Sequence, residues 1–254
     1  MKKKYAVATL LLLLTAGAAS ANILNFRMGY FVPRLTGDFW DIEFENMTYK
    51  KSSFQDASMG LSYEAFLTRS FSLTIGLDVF RKSKAAYYKD WIGNSLPDGD
   101  FAFPSKEYRG SFEIKHSVTL ASAPISLSVK WAPLGRRGNI IPYVGGGVNA
   151  TIWNVKMQGD LVDFNDPYLY SDPFGQATVY PVYSVYTKES DGFGRVSWGW
   201  QAFGGVMIPV GARMTADVGA QYLSVPAEFN SGFIGFQPID VGGLQIFVGI
   251  NYWF

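Results

Sequence analysis

The chain alternates between apolar and polar residues over several stretches that are long enough to be β-strands. In the last stretch one face carries six apolar positions in a row: Leu244, Ile246, Val248, Ile250, Tyr252 and Phe254. A period of two places successive side chains on opposite faces of a strand. The stretch matches the roughly 9–11 residues that a tilted strand needs to cross a bilayer. The pattern therefore predicts a membrane-spanning strand with one lipid-facing side.

Eight segments of the chain share this alternation. They are residues 25–32, 55–67, 71–80, 112–132, 140–154, 196–208, 213–225 and 241–254. The connections after the second, fourth and sixth segments are short, and the other four are long. An even strand number with short turns at one end and long loops at the other is typical of bacterial barrels, whereas a soluble β-sandwich needs no one-sided loop lengthening. The sequence therefore predicts an all-β fold, an eight-stranded antiparallel transmembrane β-barrel with short periplasmic turns and long external loops.

The fourth segment changes the parity of its apolar positions. Phe112, Ile114 and Val118 lie at even positions, whereas Ile125 and the apolar residues that follow it lie at odd positions. A shift of one residue within 121–124 would restore a single apolar face. Since a β-bulge makes such a shift, and a proline is tolerated there, the pattern predicts a bulge at residues 121–124.

The beginning of the chain has the features of a secretory signal. Three lysines at 2–4 precede an apolar run at 5–14, and Ala19-Ser20-Ala21 follows as a small-residue cleavage site. We expect residues 1–21 to be removed and residues 22–254 to form one barrel domain. Without the three lysines, 19 basic face 21 acidic side chains, a net charge of −2 that gives no indication of a nucleic-acid partner. The chain has no cysteine, which excludes disulfides and cysteine–metal sites.

Two stretches resemble a known family. Residues 119–131 read TLASAPISLSVKW and residues 141–150 read IPYVGGGVNA. Together they resemble the central hairpin of the OmpW family of small outer-membrane barrels. Residues 248–254, VGINYWF, are similar to that family's last strand. The chain departs from the family in its long second and third external loops and in a single Ala-Pro where the family often has paired prolines.

The resemblance implies a location, partners and an activity. The location is the bacterial cell outer membrane. The implied partners are outer-membrane lipid and the barrel assembly machinery, for which Tyr252 and Phe254 would form the assembly signal. The implied activity is the passage of small hydrophobic molecules.

The alternation also predicts which side chains face the interior of the barrel. Four charged residues are predicted to point inward toward the periplasmic end: Arg27, Glu64, Lys130 and Asp217. Because buried charges need partners, we expect a mutually neutralising charged floor. The alternative is four independently hydrated side chains.

The middle and upper interior is predicted to be apolar. Phe31, Phe203 and Phe247 point inward at mid-height, with Trp153 and Leu223 nearer the outer rim. These side chains either fill a narrow eight-stranded barrel or line an apolar funnel for small hydrophobic ligands.

Candidates for chemistry are few. The only histidine, His116, has its neighbour Ser117 on the opposite face, so no local nucleophile–base pair exists. The sequence therefore predicts no catalytic residue and no cofactor, with His116 as a boundary residue near the outer membrane surface. Asp160, Asp163 and two Asp-Pro pairs at 166–167 and 172–173 suggest either oxygen ligands for calcium or ordinary turns. No calcium-loop spacing is present, and no metal site is predicted.

Two functions follow from these observations. The first is a passive channel for small hydrophobic molecules across the outer membrane, without enzymatic activity. The alternative is a structural or adhesive surface barrel without transport, suggested by the tyrosines of the third external loop: Tyr168, Tyr170, Tyr180, Tyr183 and Tyr186.

Overall fold

A computed structural model describes residues 22–254 except 137, 174, 191–194, 230–232 and 234. The predicted signal at 1–21 lies outside the described residues. In chain order the elements are β1 (Ile23–Pro33), α1 (Asp38–Asn46), a 3₁₀ helix (Lys51–Phe54), β2 (Asp56–Phe66), β3 (Phe71–Tyr87), β4 (Trp91–Leu96), β5 (Gly99–Pro104), β6 (Lys115–Trp131), β7 (Ile141–Val162), β8 (Tyr168–Asp172), β9 (Gly175–Glu189), β10 (Arg195–Gly211), β11 (Met214–Ser224), β12 (Pro226–Ala227), β13 (Ile239–Asp240) and β14 (Gly243–Trp253).

Eight of the strands close into an antiparallel barrel. Their order is β1-β2-β3-β6-β7-β10-β11-β14, and β14 pairs with β1 to complete the ring. Closure gives every strand a partner on both edges, which backbone groups in lipid require. The connections at 67–70, 132–140 and 212–213 are short and lie at one end, while the four long connections lie at the other. The predicted fold class is confirmed.

The outer wall carries a belt of exposed apolar side chains. In β6 the outward residues Ile125, Leu127, Val129 and Trp131 are 40–48% exposed. Aromatic residues border the belt on both sides: Tyr63, Phe71, Trp131, Tyr252 and Phe254 at the short-turn end, and Tyr30, Trp198, Trp200 and Tyr222 at the long-loop end. An exposed apolar belt between two aromatic girdles is the lipid-facing surface of a transmembrane barrel.

The predicted β-bulge at residues 121–124 is wrong. The pairing of β6 with β7 runs from His116 to Trp131 without a register shift, and even-numbered residues of β6 point inward throughout. Val118 and Leu120 are buried inside the barrel, while Ser117 and Thr119 lie on the outer wall. The strand continues beyond the membrane, where the outside meets water and the inside is a packed core. The apparent slip therefore marks the level at which the wall leaves the lipid.

The outward face of the neighbouring strand β7 changes from apolar to polar at the same height. Ile152 faces outward as an apolar residue, but the next outward residues, Asn154 and Lys156, are polar. Val155 and Met157 are buried on the inner side. The two strands together show a barrel that projects above the membrane with its polarity reversed.

A cap closes the projecting part of the barrel; it comprises α1, the segment 47–54 and the described residues of 225–239. Asp38 and Asp41 lie in the first turn of α1, where the helix dipole favours negative charge. Trp40 is fully buried, with its ring 5.1 Å from that of Phe54. Phe39 contacts the rings of the 225–239 segment at 5.3–5.4 Å. This aromatic packing holds the short helix inside the rim.

The sheet of the barrel extends beyond the wall, beside the cap. The upper end of β7 pairs with β9, which in turn pairs with β5 and β8, and β5 pairs with β4. Its separate apolar cluster contains Phe101, Phe103, Ala177 and Val179. No helix among the described residues is long and apolar enough to cross a membrane.

Candidate functional site in the barrel interior

The short-turn end of the interior is closed by an ion cluster around Glu64. Its carboxylate accepts hydrogen bonds from Lys130 Nζ at 3.0 Å and from Arg136 Nη2 at 2.9 Å. All three side chains are at most 7% exposed. Arg136 reaches this position from the β6–β7 turn and also donates to the carbonyl oxygen of Arg69 at 3.0 Å. Two positive charges therefore share one buried carboxylate.

The other two predicted floor charges have different partners. Arg27 forms a bidentate pair with Asp78, at 2.9 Å through Nε and 2.5 Å through Nη2. Asp217 accepts a hydrogen bond of 2.7 Å from the Tyr143 hydroxyl. Gly60 makes room for the Arg27 pair, because a Cβ atom there would lie 2.1 Å from Asp78 Oδ1. The void left among these groups is about 30 Å³, room for little more than a water molecule.

A layer of amides lies above the charges. Gln221 donates to Gln201 at 2.9 Å, and Gln201 donates to Ser128 at 2.7 Å. Gln245 donates to Ser58 at 2.8 Å. These side chains cross-link the inner wall and further narrow the axis.

The five predicted apolar residues point into the interior above and between these polar groups. Phe31 packs on Phe80 with ring centroids 4.7 Å apart. Phe203 and Phe247 lie against glycines, since Cβ atoms at Gly145 and Gly219 would come within 2.4 and 2.7 Å of the two rings. Leu223 and Trp153 belong to the buried apolar core that continues into the cap. The mid-height void is about 20 Å³, so the cap and the rings fill the expected funnel.

The barrel wall has one irregular place between β3 and β6. Although every residue of both strands is described, the ladder passes from Leu77–Ile125 to Phe80–Ser122 without the two pairs between them. Those pairs include Pro124, which has no N–H to donate. On the outer wall beside this gap lies a mainly apolar groove of about 240 Å³.

The outer groove and the mid-height void have lining residues in common at this gap. Val79, Phe80 and Ser122 line both of them. The two spaces therefore lie on opposite sides of the same short stretch of β3 and β6, at the level where the wall leaves the lipid. We call this place, the stretch of β3 at 78–79 opposite 123–124 of β6, the wall seam.

A buried polar cluster lies in the cap, and it corrects the expectation for His116. His116 points inward and is 2% exposed, so it is not a boundary residue on the outer surface. Its Nε2 lies 2.9 Å from Glu43 Oε2 on α1, and its Nδ1 lies 3.3 Å from the carbonyl oxygen of Asp160. Tyr49 donates its hydroxyl to the same Glu43 oxygen. Burial, together with the nearby Glu43 carboxylate, raises the pKa values of both Tyr49 and Tyr88, so both hydroxyls stay protonated.

The cluster borders a cavity of about 150 Å³. Most of the lining is apolar and includes Phe39, Met157, Leu161, Phe164 and Phe233; Glu43, His116 and Lys188 are among its polar members. Residues of both the cap and the barrel wall bound this cavity.

The remaining predicted positions lie on the surface. Tyr252 and Phe254 face outward at the short-turn end, with rings 6.3 Å apart; their assembly role stays a prediction. Tyr168, Tyr183 and Tyr186 are 48–91% exposed. Tyr170 instead packs on Phe103 and Tyr180 on Trp91, each at 5.1 Å. Among the described residues no group of three or more histidine, aspartate or glutamate side chains is placed to hold a metal ion.

Sequence reasoning missed several residues of the interior. Asp78 occupies an inward position of the predicted third strand, so its parity was an available signal. Arg136 lies in the turn between β6 and β7 and Glu43 lies in α1; both are in connections between the predicted strands, where a period of two gives no direction. Their roles depend on where the turn and the cap fold back, which only the tertiary structure shows.

The closed strand order, the apolar belt and the filled polar interior define the class of this protein, an eight-stranded β-barrel of the bacterial outer-membrane type. Comparisons with solved structures find similar chains. OprG of Pseudomonas aeruginosa is 13% identical with a TM-score of 0.49, over 92% of this chain and 95% of that one. Outer membrane protein W of E. coli is 16% identical with a TM-score of 0.39, over 91% and 97%. The attachment invasion locus protein Ail of Yersinia pestis is 10% identical with a TM-score of 0.41, over 92% and 99%.

These similarities concern the architecture alone, and the strand register already shows that architecture. No family model matches the sequence, and no match is found among curated proteins. The resemblance to the OmpW family, read from the sequence, therefore extends to the fold and not to an activity.

Proposed function

We propose that the protein is a passive route for small hydrophobic molecules across the outer membrane, and that the molecules leave sideways through the wall seam. The observation that carries this proposal is that the mid-height void and the outer groove share three lining residues, Val79, Phe80 and Ser122. An apolar solute gains nothing from the charged floor, since crossing it would separate buried ion pairs. The seam instead faces the upper edge of the apolar belt, where Val79 and Ile152 are exposed.

The chemistry of the interior fits passive movement rather than catalysis. The nitrogens of His116 contact Glu43 and a backbone carbonyl, and no serine or threonine hydroxyl of the described residues is hydrogen-bonded to them. Passage needs no cofactor, only displacement of side chains at the seam and in the cap. We therefore propose a channel without enzymatic activity.

A disulfide across the seam tests the route directly. Val79 and Ala123 lie between the Leu77–Ile125 and Phe80–Ser122 pairs, where an unbroken β3–β6 register would place them opposite each other, and the chain has no cysteine of its own. In the variant Val79→Cys/Ala123→Cys, oxidation should tie the strands together and reduce protein-dependent uptake of a small apolar dye by intact cells. Reductant should restore uptake, because only the seam has changed.

The matched control is Leu73→Cys/Val129→Cys, which joins paired residues of the same two strands away from the seam. Its oxidation should leave uptake unchanged. Equal uptake by the oxidised and reduced seam variants would refute the sideways route. Bilayer recording of the purified protein adds an independent reading: we expect a small conductance that a long-chain detergent suppresses.

The exposed aromatic residues of β8 and β9 favour a second function, an adhesive surface barrel. Tyr183 and Tyr186 are 53% and 91% exposed, and Leu169 is 60% exposed. Exposed aromatic residues are common anchors in protein interfaces. If adhesion is the function, replacing Tyr183, Tyr186 and Leu169 by serine should weaken the attachment of cells to surfaces. If the sideways route is the function, the same replacements should leave dye uptake unchanged.

A further inference from the structure

The three short connections at the periplasmic end carry basic side chains and no acidic ones. They contain four arginines, at positions 69, 136, 137 and 213, and no aspartate or glutamate. The long connection 34–55 at the opposite end has four acidic and three basic side chains. Arg69 and Arg213 are exposed, and Arg69 has no carboxylate partner among the described residues. The short turns therefore present an excess of positive charge.

Two of these turns border a crevice of about 510 Å³. Its lining includes Arg69 from the β2–β3 turn, Arg136 from the β6–β7 turn, and the rings of Phe66 and Trp253. Arg136 ties the turns together, since its Nη1 donates to the carbonyl oxygen of Arg69 at 3.0 Å and its guanidinium carbon lies 4.1 Å from the centroid of the Phe66 ring. Phe66 packs on Trp253 with ring centroids 5.6 Å apart. The crevice therefore has one fixed guanidinium in its wall and an exposed one from Arg69.

The fixed guanidinium has a donor without an acceptor. The Arg136 side chain is 7% exposed, and its Nη2 donates to Glu64. Its Nε is buried and has no hydrogen-bond partner among the described residues. A buried donor without a partner is costly. An anionic oxygen held between Arg136 and Arg69 would remove that cost, and a phosphate group offers oxygens to two guanidinium groups at once.

Apolar residues in the same turns favour a lipid over a soluble anion. Leu67 and Leu134 are 61% and 76% exposed, although turns that face water are usually polar. Trp253, which lines the crevice, lies in the chain between the girdle residues Tyr252 and Phe254. Aromatic girdles mark the level of the membrane–water interface. Exposed leucines beside arginines at that level suit a surface that meets acyl chains and charged headgroups together.

We propose that the crevice binds the phosphate of an anionic phospholipid in the periplasmic leaflet of the outer membrane. The phosphate oxygens accept hydrogen bonds from Arg69 and Arg136, and the acyl chains lie against Leu67 and Leu134. The positive charge of the turns selects an anionic headgroup over a zwitterionic one. Since the site lies at the end opposite the external loops, it does not depend on the proposed transport function.

Native mass spectrometry of the full chain in detergent micelles tests the site with phosphatidylglycerol and phosphatidylcholine of identical acyl chains. We expect wild-type protein to bind phosphatidylglycerol about tenfold more tightly. Arg69→Gln should weaken phosphatidylglycerol about fivefold, the usual contribution of one arginine near an anionic surface, and change phosphatidylcholine by less than about twofold. The matched control is Arg109→Gln, at an exposed position between β5 and β6. It should change neither affinity.

A second variant tests the donor without an acceptor. Arg136→Lys keeps a positive charge beside Glu64 but has no Nε. Its affinity for phosphatidylglycerol should fall about tenfold, as the loss of one charge-assisted hydrogen bond requires. Its heat-modifiable mobility should remain, which separates a lost ligand contact from a failure to assemble.

Competition separates the possible sources of the anion. Inorganic phosphate and a hexaglutamate peptide, each in large excess, should leave phosphatidylglycerol bound, because neither brings acyl chains to the leucines. Displacement by phosphate would assign the crevice to a soluble anion, and displacement by the peptide would assign it to an acidic protein; either result overturns the lipid site. Equal affinities for the two lipids, or equal effects of Arg69→Gln and Arg109→Gln, would also overturn it, since the lipid would then be held without a specific headgroup contact.

Discussion

At the scale of the residue, Glu64 is the carboxylate that compensates the buried positive charges at the short-turn end of the barrel. It is 3% exposed and serves both Lys130 and Arg136. Removing one member of a buried ion pair leaves an uncompensated charge in a poorly solvated place. Losing the Glu64 carboxylate should therefore lower the free energy of unfolding more than losing either Lys130 or Arg136.

We expect Glu64→Gln to reduce the free energy of unfolding by about 3–5 kcal/mol. Adding Lys130→Met should recover part of the loss, because one stranded charge is then gone and Arg136 keeps its carbonyl partners. Arg27→Met should recover nothing, since the carboxylate partner of Arg27 is Asp78. Denaturant titration in lipid vesicles, read as the fraction of heat-modifiable barrel, measures the coupling.

The control for charge alone is Glu107→Gln, at an exposed loop position, which should leave stability unchanged. Strictly additive effects of the Glu64 and Lys130 substitutions would show that these side chains are separately hydrated and that the ion cluster contributes nothing as a unit.

At the scale of elements, the cap is held by aromatic packing rather than by helix propensity. A nine-residue helix is too short to be stable alone in water. Trp40 has ring contacts of 5.0–5.8 Å with Phe39, Phe44 and Phe54. The cap should therefore loosen without unfolding the barrel.

Trp40→Ala should destabilise the cap by about 3–5 kcal/mol, the usual cost of removing a buried tryptophan. Proteases added to intact cells should then cleave the 34–55 connection faster, while the barrel keeps its heat-modifiable mobility. The control is Ile42→Ala, at a position of the same helix that is 46% exposed. This variant should be cleaved at the wild-type rate. Loss of the barrel together with the cap would mean that the two fold as one unit.

At the scale of the whole molecule, closure is the decisive property. Each barrel strand has two hydrogen-bonded neighbours, so no edge is left for solvent or detergent to attack. Unboiled protein in dodecyl sulfate should therefore migrate differently from boiled protein, with strand-type circular dichroism. Identical mobilities with a helical spectrum would contradict the closed barrel.

The sequence predicts the wall of the barrel better than it predicts the contacts inside the barrel and in the cap. The lipid-facing rows, the inward positions of Arg27 and Phe247, and the long and short connections all follow from a period of two. A strand between lipid and a narrow interior has only two directions for a side chain, so counting residues suffices. The reversed polarity of β6 was misread as a bulge because a period alone does not report which medium lies outside.

The closed barrel with its apolar belt can be predicted from the amino-acid sequence, because lipid admits no unpaired strand edge. The tertiary structure alone decided which cation meets which carboxylate, where the wall seam lies and how α1 fills the rim. Those features join residues that are distant in the chain, such as Glu43 with His116 and Glu64 with Arg136. Their energies arise from burial and hydrogen bonding that exist only once the barrel has closed and the connections have folded back onto it.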